Sequence, residues 1–424
     1  MAPSDGYSTR FRERAARSRE AAARKIPGLR TIRRPATAQS PEFDLAYVRP
    51  APGNGPIALV IPGGPGLAVP LMYQSFRARA VDAGLDIVMV EHRGVGLSRR
   101  DPDGHDLPPA ALTVSQVVAD LGAVLETEGI DRVILSGTSY GSYVAATFAV
   151  THPERLDGLV LDSTTISAQE HDITRRYARS LLWHGESEET AASARRIRDL
   201  VTQHGLRAPV LGETAQVVYE FGGTALLDDY LDQLARDRAR WTTAMVRRLL
   251  RQEIGAPSPH VMEYDLVRHL AYAELNTGVA PDGGIFDPAA VFHDADAPAF
   301  TGEHFDLHAQ LPEVTVPALV LSGARDLRTP RPVAEAAAEL LPDGVLVPLA
   351  GHAHSALDTR PTVLIDAIHA VAEGSHRTFA QRARRNLAAA PVVGTGKFLP
   401  LLVRAALTAD RLRTVPCLPC RRHG

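Results

Sequence analysis

The chain reads as an α/β protein with a mainly parallel sheet, helices on both faces and a helical insertion. Three observations predict this architecture. Short apolar runs alternate with helical periodicity up to about residue 163. The alternation then gives way to a stretch, residues 167–310, that is helical in pattern, rich in Arg, Glu and Ala, and without a convincing strand. It resumes at Pro317. Alternating strand and helix specify parallel pairing with helices covering the sheet.

Taken in order, strands are expected near 44–49, 57–61, 86–90, 132–136 and 158–162, with helices near 71–83, 113–128 and 140–152. Two later apolar runs, Ala318–Leu321 and Val345–Val347, supply the returning strands. A chain of 424 residues buries a large core and is too long for one compact unit. The expected division is a sheet-and-helix core at 42–166 and 311–374, a cap at 167–310, and basic extensions at 1–41 and 375–424. An insertion at this point reads as a roof over the reacting centre; the plain alternative is a second domain unrelated to it.

The most informative segment is Gly137-Thr138-Ser139-Tyr140-Gly141, directly after Val133-Ile134-Leu135-Ser136 and before the helix-like Tyr143–Phe148. Strand, sharp turn and helix around Gly-x-Ser-x-Gly form a nucleophile elbow. The turn strains Ser139, and each glycine sits where a Cβ would collide with neighbouring backbone. The motif also arises by chance in unrelated chains, but here the required context stands on both sides.

Such a serine needs a base and a group that orients the base. Asp326 lies on the loop after Ala318–Leu321, in Ser322-Gly323-Ala324-Arg325-Asp326, where its other reading is a turn or capping residue before Thr329-Pro330. Two histidines in Gly351-His352-Ala353-His354 follow the last strand. The spacing favours His354 as the base, with His352 the competitor. An oxyanion hole in this arrangement uses the N–H after the nucleophile, here Tyr140, and one from an early loop. Pro62-Gly63-Gly64-Pro65-Gly66 follows the strand at 57–61; Gly64 is the expected donor, since Pro65 has no N–H.

These residues also carry a resemblance. Pro62–Gly66, Glu91-His92-Arg93-Gly94-Val95-Gly96-Leu97-Ser98, the elbow, and Asp326 with Thr329-Pro330 resemble, in this order, the prolyl aminopeptidase and tripeptidyl aminopeptidase group of α/β-hydrolase serine peptidases. The likeness spans roughly residues 42–372. Two departures stand out: Pro62 where many members have His, closer to the tripeptidyl branch, and Glu91 where Asp is usual. The resemblance implies the α/β-hydrolase fold and a cap carboxylate that receives the substrate's α-ammonium group. Glu274, a polar break in Ala271–Asn276, is the expected one, with Glu263 and Glu220 ranking below it. Arg93 is expected to make buried contacts that hold the oxyanion loop.

Charge is unevenly spread. Residues 1–40 hold ten Lys or Arg against three Asp or Glu and residues 375–424 ten against one, which leaves 41–374 with a net charge of −19. An acidic cleft favours cationic ligands such as peptides with a free amino terminus; the plainer reading is a solvated acidic surface. The basic N-terminal stretch lacks the apolar core of a secretory signal, and no segment has the length of a membrane span. The apolar run Phe398–Val403 either docks on the body, touches an anionic surface or belongs to a dispensable tail. Cys417 and Cys420, with His423, fall short of the four ligands of a tetrahedral metal site, so no metal is expected. No cofactor and no nucleic-acid partner are expected, and the cytoplasm is the default compartment. The expected function is acyl transfer through a covalent serine ester, most favourably as an aminopeptidase. A carboxylesterase is the alternative, and a non-catalytic binding protein the remote one.

Overall fold

The structure, a computed structural model, describes residues 5–254, 258–386 and 390–412. Cys417, Cys420 and His423 lie outside the described residues. Eight strands make one sheet in the order β1-β2-β4-β3-β5-β6-β7-β8. They are β1 (Leu29–Arg34), β2 (Phe43–Val48), β3 (Ile57–Ile61), β4 (Asp86–Val90), β5 (Val133–Thr138), β6 (Leu156–Asp162), β7 (Ala318–Gly323) and β8 (Gly344–Leu349). β1 and β2 pair antiparallel with each other, β2 pairs antiparallel with β4, and the remaining strands are parallel.

Every strand expected from the apolar runs forms. β3 shows why these runs are continuous: Leu59 and Ile61 enter the core on one face while Ala58 and Val60 enter the core on the other. A parallel sheet covered on both faces needs apolar residues at every position. One face is covered by α3 (Val114–Thr127), α4 (Tyr140–Thr151) and α10 (Arg331–Leu340), the other by α2 (Gln74–Asp82), α11 (Pro361–Ala372) and α12 (His376–Asn386). The helix expected at 71–83 is broken at Tyr73 into Val69–Met72 and α2.

Residues 1–41 are more than an extension. They contribute α1 (Asp5–Ala23) and the edge strand β1, paired along its length with β2. The alternation in Leu29-Arg30-Thr31-Ile32-Arg33-Arg34 is masked by arginines, which find partners across the fold. Arg34 donates to Asp120 of α3 at 2.8 Å, and Arg30 pairs with Glu128 at 2.5 Å. Charged side chains on an edge strand also discourage pairing with another sheet.

The insertion comprises α5 (His171–Arg179), α6 (Ala191–Thr202), α7 (Ala208–Ala235), α8 (Arg240–Ile254) and α9 (Tyr264–Leu275), with short turns between. It has its own apolar core, and α13 (Gly394–Leu412) adds Leu399, Val403 and Leu407 to it. The C-terminal segment therefore packs on the cap. α7 is interrupted at Gly223, whose φ of 71° lies in the left-handed region. A strap ahead of α9 returns to the core: Glu263 N–H donates to Gly66 O at 2.8 Å, and Ala68 N–H to Val261 O at 3.1 Å. Arg19 of α1 holds that strap through Ser258 Oγ at 2.9 Å.

Candidate active site

The site is built at the C-terminal ends of the central and later strands, where an open parallel sheet leaves its crevice. β5 ends at Thr138 and α4 begins at Tyr140, so Ser139 occupies the turn with φ 54° and ψ −124°. That strain is enforced by close approach on both sides. A Cβ on Gly137 would lie 2.1 Å from Gly141 O, and one on Gly141 would lie 2.3 Å from Ile61 O at the end of β3. Tyr140 is the first residue of α4, so its N–H has no acceptor inside the helix. The loop after β3 approaches the same point: a Cβ on Gly63 would lie 3.2 Å from Ser139 Cβ.

His354 and Asp326, on loops after β8 and β7, meet through Nδ1 and Oδ2 at 3.0 Å. Asp326 is fully buried and its other bonds are all local. Oδ1 accepts the N–H groups of Arg328 and Thr329 at 2.9 and 3.0 Å, and Oδ2 accepts the Thr329 hydroxyl at 2.9 Å. Burial opposes its ionisation, but the imidazole and the Thr329 donors outweigh it and take the carboxyl down to about 2. For His354 burial likewise favours the neutral form, and Asp326 outweighs it, raising the imidazole above its ordinary value. His352, the competitor, is also buried but makes no hydrogen bond to Asp326. Burial, reinforced by Arg360, takes it down to about 3, and its Nε2 has no hydrogen-bond partner among the described residues.

Asp162, at the end of β6, holds the parts together and was not singled out from the sequence. Its Oδ2 accepts the Thr138 hydroxyl at 3.1 Å, one residue before Ser139. It also accepts the N–H groups of Ala356 and Leu357 at 2.8 and 3.2 Å, just after His354. Burial pushes this carboxyl up to about 6. Its neighbour Ser163 takes the Ser355 N–H at 2.8 Å. A charged residue closing the apolar run Gly158–Leu161 is the signal by which the sequence could have shown it.

The segment after β4 lies behind the elbow. His92 Nδ1 is 2.5 Å from the Arg93 carbonyl, which only accepts, so Nδ1 carries the proton and Nε2 accepts the Tyr140 hydroxyl at 2.8 Å. Burial lowers His92 to about 4 and keeps it neutral. Glu91 fills the space left by Gly96, accepts the Leu97 N–H at 2.7 Å, and is pushed by burial up to about 8. Arg93 corrects an expectation. Its guanidinium spans both oxygens of Asp120 at 2.6 and 2.7 Å and reaches Ala111 O and Gln116, so it anchors α3 and not the oxyanion loop.

The three cap carboxylates part company. Glu274 is buried and accepts the Val114 N–H at 3.0 Å, capping the start of α3. Glu263 accepts from His260 N–H at 2.6 Å and Gly96 N–H at 3.1 Å, tying the strap to the segment after β4. Glu220, ranked lower from sequence, is fully buried on α7 beside the acid loop, where Oε1 accepts the Leu327 N–H at 3.2 Å. Its Oε2 accepts no hydrogen bond among the described residues and faces Arg328 Nε at 3.5 Å. A separate cavity of about 460 Å³ lies where the cap joins the core, lined by Ile166, Glu170, Glu303, Phe305, His308 and Val333, and none of Ser139, Asp326 and His354 lines it.

Residues 56–359 match the family model described as alpha/beta hydrolase fold. The chain belongs to that family. Among curated relatives, a proline iminopeptidase of Neisseria meningitidis is 34% identical over 108 residues, 26% of this chain and 32% of its own length. Epoxide hydrolase 3 of Siraitia grosvenorii is 31% identical over 108 residues, again 26% of this chain and 32% of its own length. The chain thus spans about a third of these relatives. Among solved structures, a proline iminopeptidase from Mycobacterium smegmatis is 18% identical with a TM-score of 0.49, covering 84% of this chain and 99% of that one. Membership fixes the fold and the hydrolase family, and leaves the bond that is cleaved to the site itself.

Proposed function

We propose that this α/β hydrolase is a serine hydrolase that works through an acyl-enzyme, most favourably an aminopeptidase. The observation that carries the first half is the fully bonded Asp326 holding His354 Nδ1 at 3.0 Å, at the C-terminal end of the sheet where Ser139 stands strained. In this reading His354 Nε2 takes the proton from Ser139 Oγ as the oxygen attacks a carbonyl carbon. The Tyr140 and Gly64 N–H groups receive the negative charge on the carbonyl oxygen. His354 then hands the proton to the leaving amine, and a water activated by the same imidazole releases the acid. A serine at the elbow does not suit epoxide opening through an alkyl-enzyme ester, which needs a carboxylate nucleophile.

The second half rests on Glu220. A fully buried carboxyl next to the acid loop, with one oxygen that accepts no hydrogen bond among the described residues and is approached by Arg328 Nε only at 3.5 Å, suits a substrate ammonium group. The net charge of −19 over residues 41–374 favours cationic ligands in the same sense. Glu274, the residue expected from sequence, is committed to Val114 and fits the task less well. Ester cleavage remains the second reading, because the triad alone does not select amide over ester.

The test has two arms. A fluorophosphonate probe should label wild type at Ser139 and leave Ser139→Ala unlabelled; undiminished labelling of the variant removes the acyl-enzyme. Free and N-acetylated aminoacyl arylamides are then compared in wild type and Glu220→Gln. A charge-assisted contact of roughly 1.5–3 kcal/mol predicts a preference of about one to two decades for the free amine, abolished in the variant. If acetylation leaves wild-type kcat/KM unchanged, the aminopeptidase reading falls and the esterase takes its place.

A further inference from the structure

Helix α13 has two apolar faces, and among the described residues only one of them is covered. Leu399, Val403, Ala406 and Leu407 are buried against the cap. Asp410, near its end, fixes the helix to α8 by accepting the Thr242 N–H and hydroxyl at 2.9 and 2.8 Å. On the other side Phe398, Leu401, Leu402 and Leu412 are 59%, 55%, 49% and 78% exposed. Their spacing, with Ala405 between, returns to one face of an α-helix. Trp241, 44% exposed, lies at the start of α8, where its backbone N–H donates to Asp410 at 3.3 Å.

Beside the stripe runs a row of cations. Lys397, Arg404 and Arg411 recur every seven residues and are exposed. Arg411 pairs with Asp229. Residues 375–424 carry ten basic residues against one acidic, while residues 41–374 carry a net charge of −19. A large apolar stripe flanked by cations is the composition of a helix that lies in a membrane interface. No helix among the described residues is long and apolar enough to cross a membrane.

We propose that the outer face of α13 docks this hydrolase on an anionic lipid surface, with Phe398, Leu401, Leu402 and Leu412 entering the headgroup region. Lys397 and Arg404 meet the lipid phosphates. The opposite charge of the body selects the orientation, because an anionic bilayer repels residues 41–374 and attracts the C-terminal face. A second copy of the chain is the rival occupant of the stripe. Charge complementarity argues against it, since two copies would bring two cationic rows together.

The experiment sediments the full chain with vesicles of phosphatidylcholine alone or mixed with phosphatidylglycerol. Binding is expected to the mixed vesicles only and to weaken as salt is raised. Leu401→Ser/Leu402→Ser should reduce partitioning roughly tenfold per leucine. Lys397→Gln/Arg404→Gln, which leaves the buried face of α13 untouched, should reduce it about fivefold per charge. Turnover of a soluble ester should be unchanged in both variants. Equal binding to neutral vesicles, binding that survives both double substitutions, or a dimer in solution that the leucine substitutions dissociate would each overturn the proposal.

Discussion

Replacing Asp326 by Asn keeps the volume of the side chain and reverses the two hydrogen bonds made to Oδ2. In the wild type Oδ1 takes two backbone N–H groups at 2.9 and 3.0 Å, so the amide oxygen of Asn is held at that position. The amide NH₂ then faces Thr329 Oγ1, which adapts, and His354 Nδ1, which must become an acceptor. The imidazole proton moves to Nε2, the atom that has to receive the serine proton. A wrong tautomer of this kind costs about 10⁴-fold in kcat, or roughly 5.5 kcal/mol of barrier. KM should change little, since no group that meets the substrate is altered. Stability has its own signature. The carboxyl is depressed to about 2 in the folded state, so it favours folding above its unfolded value and loses that contribution as pH falls through about 4 toward 2. The shift corresponds to about 2–3 kcal/mol at neutral pH, so urea midpoints of wild type and Asp326→Asn should differ at pH 7 and converge near pH 2. Single-turnover acylation by an activated ester is the direct assay. Acylation by Asp326→Asn within tenfold of wild type would refute the assignment of Asp326 as the orienting group.

His354→Ala should abolish acylation while His352→Ala, whose imidazole has no bond to Asp326, retains most of it; the reverse result transfers the role of base. Because a base acts when neutral and His354 is held above its ordinary value, the acid limb of kcat/KM against pH should lie above about 6.5 in wild type. Arg93→Ala should cost about 3–5 kcal/mol in urea unfolding by leaving Asp120 buried beside only Arg34. A loss under 1 kcal/mol would show that the pair contributes little.

Much of the core was legible because its elements are local. The apolar runs, the Gly-rich loop after β3 and the elbow each carry their signal within a few residues. What escaped the sequence depends on distant partners. β1 was hidden because its alternation is filled with arginines whose acceptors, Asp120 and Glu128, lie far along the chain. Glu274 was recognisable as a carboxylate in an apolar helix, but its partner is a backbone N–H 160 residues away. Glu220 ranked low because its burial depends on α7 bending onto the acid loop. The pair Gly222-Gly223 next to it marks that bend and was the available clue. Arg93 was correctly read as buried, while the direction of its bonds could be learned only from where α3 packs.

The break in α7 has a consequence for engineering. Gly223, in the left-handed region, lies against the end of the Arg325 side chain from the acid loop, and Glu220 three residues earlier holds the Leu327 N–H. The roof and the loop bearing Asp326 therefore fit together as a matched pair. Exchanging residues 167–310 for the lid of another hydrolase would replace one half of a fitted joint. Such a chimera should lose turnover even on substrates too small to touch the new lid. Transplanting residues 325–328 along with the lid is the remedy the geometry prescribes.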